Sequence, residues 1–238
     1  MELRIDIKKN LHYFDLDVSF VCPKERMLVL IGPSGGGKTT IIRIIAGLDK
    51  PDEGSIVYNG KRWLDVKNSI FIPPQKRRLG YVFQDYTLFP HLNVYGNVAF
   101  PSQDKKDVDE LLRLFGIRHL RNRKPYEISG GERQRCAICQ ALARKPQVLL
   151  LDEPFSALDV ITRRILRDEL KALKGTLSVP IVYVTHDVNE ALFLADDILP
   201  IVEGKIDRSW MQQTTIRTVS TEPGQSRAVK KPRLSLAY

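Results

Sequence analysis

The segment Gly32-Pro33-Ser34-Gly35-Gly36-Gly37-Lys38-Thr39 carries the most definite chemistry in this sequence. Closely spaced glycines let a backbone curl until its N–H groups converge on an anion. Lys38 adds a cation that reaches the β- and γ-phosphates of a nucleoside triphosphate, and Thr39 offers a hydroxyl to Mg²⁺. The candidate nucleotide contacts are therefore Gly32, Pro33, Ser34, Gly35, Gly36, Gly37, Lys38, Thr39 and Thr40. ATP and Mg²⁺ are the implied substrate and metal.

Two carboxylates stand where such a loop would need them. Asp152 and Glu153 directly follow the apolar run Val148–Leu151. A carboxylate at a strand tip suits metal binding, so Asp152 joins Thr39 as a candidate metal residue. Glu153 is the candidate general base for a water. His186 follows a second apolar run, Ile181–Val184, and Gln84 follows Gly80–Phe83. Ligands gather at the carboxyl ends of parallel strands, which makes His186 a catalytic candidate and gives the Gln84 amide access to the metal or the attacking water. Ser129-Gly130-Gly131-Glu132 precedes a long helical pattern. It reads either as an ordinary helix cap with turn glycines or as a second anion-binding tip. One site does not need two such tips, whereas a dimer would bring the tip of one copy to the phosphate loop of the other.

These residues require a sheet and helices to hold them. Leu28–Ile31 reads as a buried parallel strand entering the glycine loop, and Thr39–Ala46 as a helix stopped near Gly47. The first 25 residues look like strands, and Ser55–Tyr58 with Asn59-Gly60 suggests a strand and a turn. Pro73-Pro74 breaks the chain before Leu79–Phe83, another candidate strand. From 84 to 145 the pattern becomes helical: positions 108, 111, 112 and 115 share one face, and Arg133–Arg144 is a helix. Beyond it, Ile161, Ile165, Leu166 and Leu170 mark a helix face, and Val188–Ala195 is helical. The division is an α/β core over 1–83 and 146–208, a helical subdomain over 84–145, and an appendage over 209–238 with five basic residues against one acidic.

The composition is consistent with this plan. A chain of 238 residues, 43% hydrophobic and 27% charged, can bury one good core. A net charge of +9 favours an anionic partner without choosing among nucleotide, nucleic acid and membrane surface. The longest apolar stretches, such as Met27–Ile31, fall far short of the roughly 20 residues of a membrane span. No signal peptide is evident, so the chain is expected in the cytoplasm, with any membrane role coming through a partner. Cys136 and Cys139 form a Cys-x-x-Cys, but no second pair completes a zinc set; with Cys22 they read as core thiols.

Taken in order, the motifs resemble those of ABC transporter nucleotide-binding subunits over about 1–208. The Walker A loop is Gly32–Thr39, the Q-loop residue Gln84, and the signature Ile128-Ser129-Gly130-Gly131-Glu132. The Walker B strand is Val148–Asp152 with catalytic Glu153, the D-loop Ser156-Ala157-Leu158-Asp159, and the switch histidine His186. The signature departs from the family pattern, with Ile128 for leucine and Glu132 for glutamine. The resemblance implies a P-loop NTPase (RecA-like) α/β core with an inserted helical subdomain. It also implies a head-to-tail dimer in which Ser129, Gly130 and Gly131 meet the ATP held by the opposite Lys38. Integral membrane permease subunits would dock on the helical subdomain, and a solute-binding protein would act indirectly; nucleic acid is not expected. An aromatic ring near the N-terminus would stack on adenine, with Tyr13 and Phe14 the candidates and Phe14 preferred. The stretch 80–98 is similar to the importer group. A short chain with a short N-terminal loop is most similar to molybdate or tungstate importers, and that resemblance implies uptake at the cytoplasmic face of the membrane. Sulfate or ferric iron import, an exporter motor and a soluble nucleic-acid ATPase are the alternatives.

Overall fold

The computed structural model describes residues 1–84, 87–102 and 104–211. From residue 212 on, the expected basic appendage lies outside the described residues. The first half of the chain forms β1 (Glu2–Asn10), β2 (Asp15–Pro23), β3 (Met27–Ile31), α1 (Lys38–Ala46), β4 (Glu53–Tyr58), β5 (Lys61–Asp65), β6 (Ile70–Phe71) and β7 (Leu79–Val82). Helices α2 (Val94–Ala99), α3 (Lys105–Leu114) and α4 (Gly130–Ala143) follow. The remainder is β8 (Val148–Asp152), α5 (Val160–Lys174), β9 (Ile181–Thr185), α6 (Val188–Leu194), β10 (Asp197–Val202) and β11 (Lys205–Ile206).

The strands form one sheet in the order β6-β5-β4-β1-β2-β11-β10-β3-β9-β8-β7. Its two halves differ. Strands β10, β3, β9, β8 and β7 are all parallel, whereas β1, β2, β4, β5 and β6 pair antiparallel. Short β11 joins them, antiparallel to β10 and parallel to β2. The burial patterns explain the division. β1 and β2 alternate buried and exposed residues, as strands with one wet face must. β3, β8 and β9 are buried at every position, because helices cover both of their faces.

Side chains of a strand alternate between faces, and here that splits the core in two. Met27, Val29, Ile31, Leu149, Leu151, Ile181 and Tyr183 point into a cluster with α2 to α6. Leu28, Leu30, Val148, Leu150, Val182 and Val184 point the other way, into a cluster with α1 and the antiparallel layer. The helical subdomain has no separate core: Val94, Val98, Val108 and Leu112 belong to the first cluster. Cys136 and Cys139 are buried in that cluster, and Cys22 in the second.

Helix α1, which must present Lys38 and Thr39, is anchored at its far end by a fully buried Arg77. Arg77 donates from Nε to Ile72 O (2.7 Å) and from Nη1 to Ile44 O (3.0 Å) and Ile45 O (2.7 Å). Gly47 ends the helix at φ 78°, and a Cβ there would lie 2.8 Å from Arg77 Cζ, so only glycine admits the guanidinium.

Two sequence expectations need correction. Ile161 and Ile165 do not share the buried face of α5; they are exposed, and Leu166, Leu170 and Leu173 make that face. The helix expected over Arg133–Arg144 starts earlier, at Gly130, because Ser129 is its N-cap. Strands β5, β6, β10 and β11 and helix α2 were not anticipated.

Candidate functional site

The phosphate loop leaves the C-terminal end of β3 and is fixed by what surrounds it. Gly32 has φ 152°, and a Cβ on it would lie 2.0 Å from Ile201 O of β10. No other residue fits that approach. Gly36 N–H donates to Pro33 O (3.2 Å), closing the turn, and Gly204 N–H donates to Gly36 O (3.1 Å), tying the loop to the β10–β11 hairpin. Gly37 (φ 97°) is the N-cap of α1. Pro33, Ser34 and Gly35 are exposed at the loop's outer curve, and Thr40 is half-buried in the first turn of α1.

Lys38 is buried, and its ammonium donates to Gly32 O (2.9 Å) and Pro33 O (2.7 Å). Burial lowers its pKa, against the opposing pull of Glu153 and Asp152. Two of its three donors are thus used to aim the head group at the loop's interior.

Asp152, at the end of β8, is held from two sides. Thr39 Oγ1 donates to Oδ1 (3.2 Å) and Tyr81 Oη donates to Oδ2 (3.1 Å). Burial raises the Asp152 pKa, and these two hydrogen bonds oppose the rise. Burial, then the Asp152 charge, pushes the Tyr81 phenol far up, so the tyrosine is the donor of the pair. Among the described residues, no group of three or more His, Cys, Asp or Glu side chains is set to hold a metal ion. A hydroxyl and one carboxylate, both hard oxygen donors, fit Mg²⁺, which keeps waters and takes its remaining ligands from phosphate.

Glu153 sits at φ 44°, a left-handed backbone that a non-glycine residue rarely takes. Its N–H donates to Val184 O (3.0 Å), and its carbonyl accepts from Ser156 Oγ (3.0 Å) and Ser156 N–H (3.2 Å). The turn brings the Glu153 Oε2 within 2.9 Å of His186 Nδ1. His186 is placed in turn by its neighbours. Thr185 Oγ1 donates to buried Glu190 (2.5 Å) and accepts from Asp187 N–H (3.1 Å), and Asp187 caps α6. Burial raises the Glu190 pKa.

Phe14 is half-buried beside the loop: a Cβ on Gly37 would lie 3.3 Å from its Cε2, and one on Gly204 2.7 Å from its Cδ2. Tyr13 is 88% exposed and packs edge-on against His12. Gln84 is exposed just past β7 and makes no hydrogen bond with Asp152 or Glu153. Ser129 caps α4 in a reciprocal box: Glu132 N–H donates to its Oγ (3.3 Å), and Ser129 N–H donates to Glu132 Oε2 (2.7 Å). Glu132 therefore does what a glutamine does in such a box. Cβ atoms on Gly130 and Gly131 would meet Leu158 and Thr162, not the phosphate loop. The structure thus brings Lys38, Thr39, Asp152, Glu153 and His186 together with Phe14 beside the loop, whereas Gln84, just past the neighbouring tip of β7, and Ser129 make no hydrogen bond to them. Sequence reasoning missed Tyr81, which reads there only as a strand residue, and Gly204, whose hairpin gives no chemical signal.

A parallel sheet whose strand tips present a glycine-cradled lysine, a metal-type carboxylate and a Glu–His pair defines the phosphate-loop class of nucleotide-binding α/β proteins. A family model described as "ABC transporter" matches residues 16–156. The chain is 43% identical over 206 residues to the molybdenum import ATP-binding protein ModC of Photobacterium profundum, covering 86% of this chain and 58% of that protein. It is 42% identical over 212 residues to the molybdate/tungstate import ATP-binding protein WtpC of Archaeoglobus fulgidus, covering 87% and 85%. A solved relative, the dimeric post-hydrolysis state of the ATP-binding cassette MJ0796 bound to ADP and Pi, superposes with TM-score 0.72 at 29% identity, covering 87% of this chain and 97% of that one. The chain belongs to the ATP-binding subunits of ABC transporters. Among the described residues, no helix is long and apolar enough to cross a membrane.

Proposed function

We propose that this chain is the ATP-hydrolysing subunit of an ABC importer for molybdate or tungstate. The observation that carries the hydrolytic part is the pairing of Glu153 with His186 at 2.9 Å, beside a carboxylate already joined to Thr39. The likeness to importers named for molybdenum and tungstate supports the solute class.

In this reading the loop amides and Lys38 bind the triphosphate, and Phe14 supports the base. Thr39 and Asp152 would hold Mg²⁺, which supplies charge neutralisation at the transferred phosphoryl group. Glu153 accepts the proton of the attacking water, and His186 orients Glu153. The Glu153 carboxylate is held by His186 and that of Asp152 by Thr39 and Tyr81, so the two acids have different partners and keep separate roles. Gln84 joins the site when the helical subdomain moves. Ser129, Gly130 and Gly131 serve the site of a second copy in a head-to-tail dimer. That is consistent with hydrogen bonds of Ser129 that stay within its own helix start. The groove lined by Tyr81, Phe83, Thr87, Phe89, Phe100 and Arg144 receives the permease subunits, which hold the chain at the cytoplasmic face of the membrane. A solute-binding protein acts beyond them.

The test is Glu153→Gln in the assembled transporter. ATP binding is expected to persist while turnover falls by about 10²- to 10⁴-fold. Unchanged turnover would remove Glu153 from the chemistry, and the reading with it.

A further inference from the structure

Asp152 presents two oxygens, and the site chemistry described so far uses only one. Oδ1 faces Thr39, whereas Oδ2 accepts from the Tyr81 phenol at 3.1 Å. Tyr81 lies on β7, the strand next to β8, in a parallel register that pairs it with Leu150, two residues before Asp152. Its ring is not free to turn. It stacks on Phe83 with centroids 4.0 Å apart and planes 24° apart, and only part of it is exposed. A carboxylate with one donor can rotate about its Cβ–Cγ bond, but donors on both oxygens fix its plane. Partners of this kind set the orientation and basicity of a metal ligand.

We infer that Tyr81 is a positioning residue for the metal site, its phenol holding the Asp152 carboxylate in the orientation in which Oδ1 faces Thr39. The inference rests on the proposed roles of Thr39 and Asp152 as the protein's metal-binding pair. Removing the hydroxyl keeps the ring, the stack and the strand, but leaves Oδ2 without its donor and the carboxylate free to swing. The effect belongs to the metal and not to the nucleotide, because the Tyr81 hydroxyl bonds to Asp152, whereas Lys38 bonds to the loop carbonyls of Gly32 and Pro33.

The experiment compares the full chain with Tyr81→Phe, and with Tyr81→Met should the phenylalanine variant fold poorly. Mn²⁺ is titrated in the presence of a non-hydrolysable ATP analogue and followed by its electron paramagnetic resonance. Binding of the analogue alone is measured separately in EDTA. The expected result is an apparent Mn²⁺ affinity lowered by about tenfold, with analogue affinity in EDTA unchanged within a factor of two. Equal Mn²⁺ affinity in the wild type and the variant overturns the role of Tyr81. Analogue binding lost in EDTA also overturns it, since the residue would then be shaping the nucleotide pocket generally. Failure of the wild-type chain to bind Mn²⁺ with the analogue would instead refute the metal pair of Thr39 and Asp152.

Discussion

Arg77→Met tests whether a buried cation far from the reaction holds the phosphate loop in place. Two effects oppose each other. Burial disfavours the guanidinium, whose pKa falls to about 10, so removing the charge relieves a desolvation cost. A methionine would also keep apolar contact with the rings of Trp63 and Phe71, over which the guanidinium now lies at 5.9 and 5.3 Å. Against this, three carbonyls lose a charged donor. Ile44 O keeps the Gly47 N–H, but Ile45 O and Ile72 O are left with no other donor among the described residues. An orphaned buried carbonyl such as Ile45 O costs about 1–3 kcal/mol, and the half-buried Ile72 O adds a cost toward the low end of that range. The orphans outweigh the relief, and the net loss is about 3 kcal/mol, in line with breaking one side of a buried polar pair. For a chain of this size that is a fall in Tm of about 6–12 °C. Differential scanning calorimetry of the nucleotide-free chain reads it directly. Because α1 carries Lys38 and Thr39, ATP is expected to recover part of the loss. Arg77→Lys, which lacks the fork geometry, is expected to fall between the two. An unchanged or raised Tm in Arg77→Met would show that the desolvation term wins and that Arg77 does not anchor the helix.

Other outcomes follow from local geometry. Glu132→Gln is expected to change Tm at pH 7 by less than about 2 °C, since the amide oxygen can take the Ser129 N–H, whereas Glu132→Ala loses the box and about 1 kcal/mol. The Ser129 N–H holds the Glu132 pKa below its ordinary value. Its stabilising contribution is therefore complete above the ordinary carboxylate range and fades as pH falls through the lower folded value, and Glu132→Gln should flatten the acid side of the Tm–pH curve. Gly131→Ala would place a Cβ 2.6 Å from Thr162 Cγ2. Thermal denaturation is expected to show a loss of about 1 kcal/mol, recovered in Gly131→Ala/Thr162→Ser; no recovery would place the strain elsewhere.

The chemical residues were readable in the sequence because their chemistry is tied to strand ends. Asp152, Glu153 and His186 close apolar runs, Lys38 and Thr39 close the glycine loop that follows another, and the parallel strands bring those ends together. The antiparallel layer was only partly readable. β5 and β6 are short and show no alternation of buried and exposed residues, and the buried Arg77 guanidinium that lies over Trp63 and Phe71 comes from later in the chain. Ile161 and Ile165 misled because the spacing of apolar residues marks a helix face without telling which neighbour covers it. The Tyr81 contact had no signal at all: a tyrosine in a strand reads as filler until the adjacent strand and its register are known.

The strand that feeds the phosphate loop has a particular place in the order of synthesis. β3 lies between β9 and β10, both made more than a hundred residues later in the chain. A growing polypeptide therefore displays Gly32–Thr39 long before the strands that flank it exist. The final bond to the loop, from Gly204, comes last of all. Such a long-range closure delays folding, and it means that a chain stalled on the ribosome before β10 carries the motif without a pocket. The backbone around the phosphate loop therefore takes its final shape only when the β10–β11 hairpin arrives beside Gly32 and Gly36.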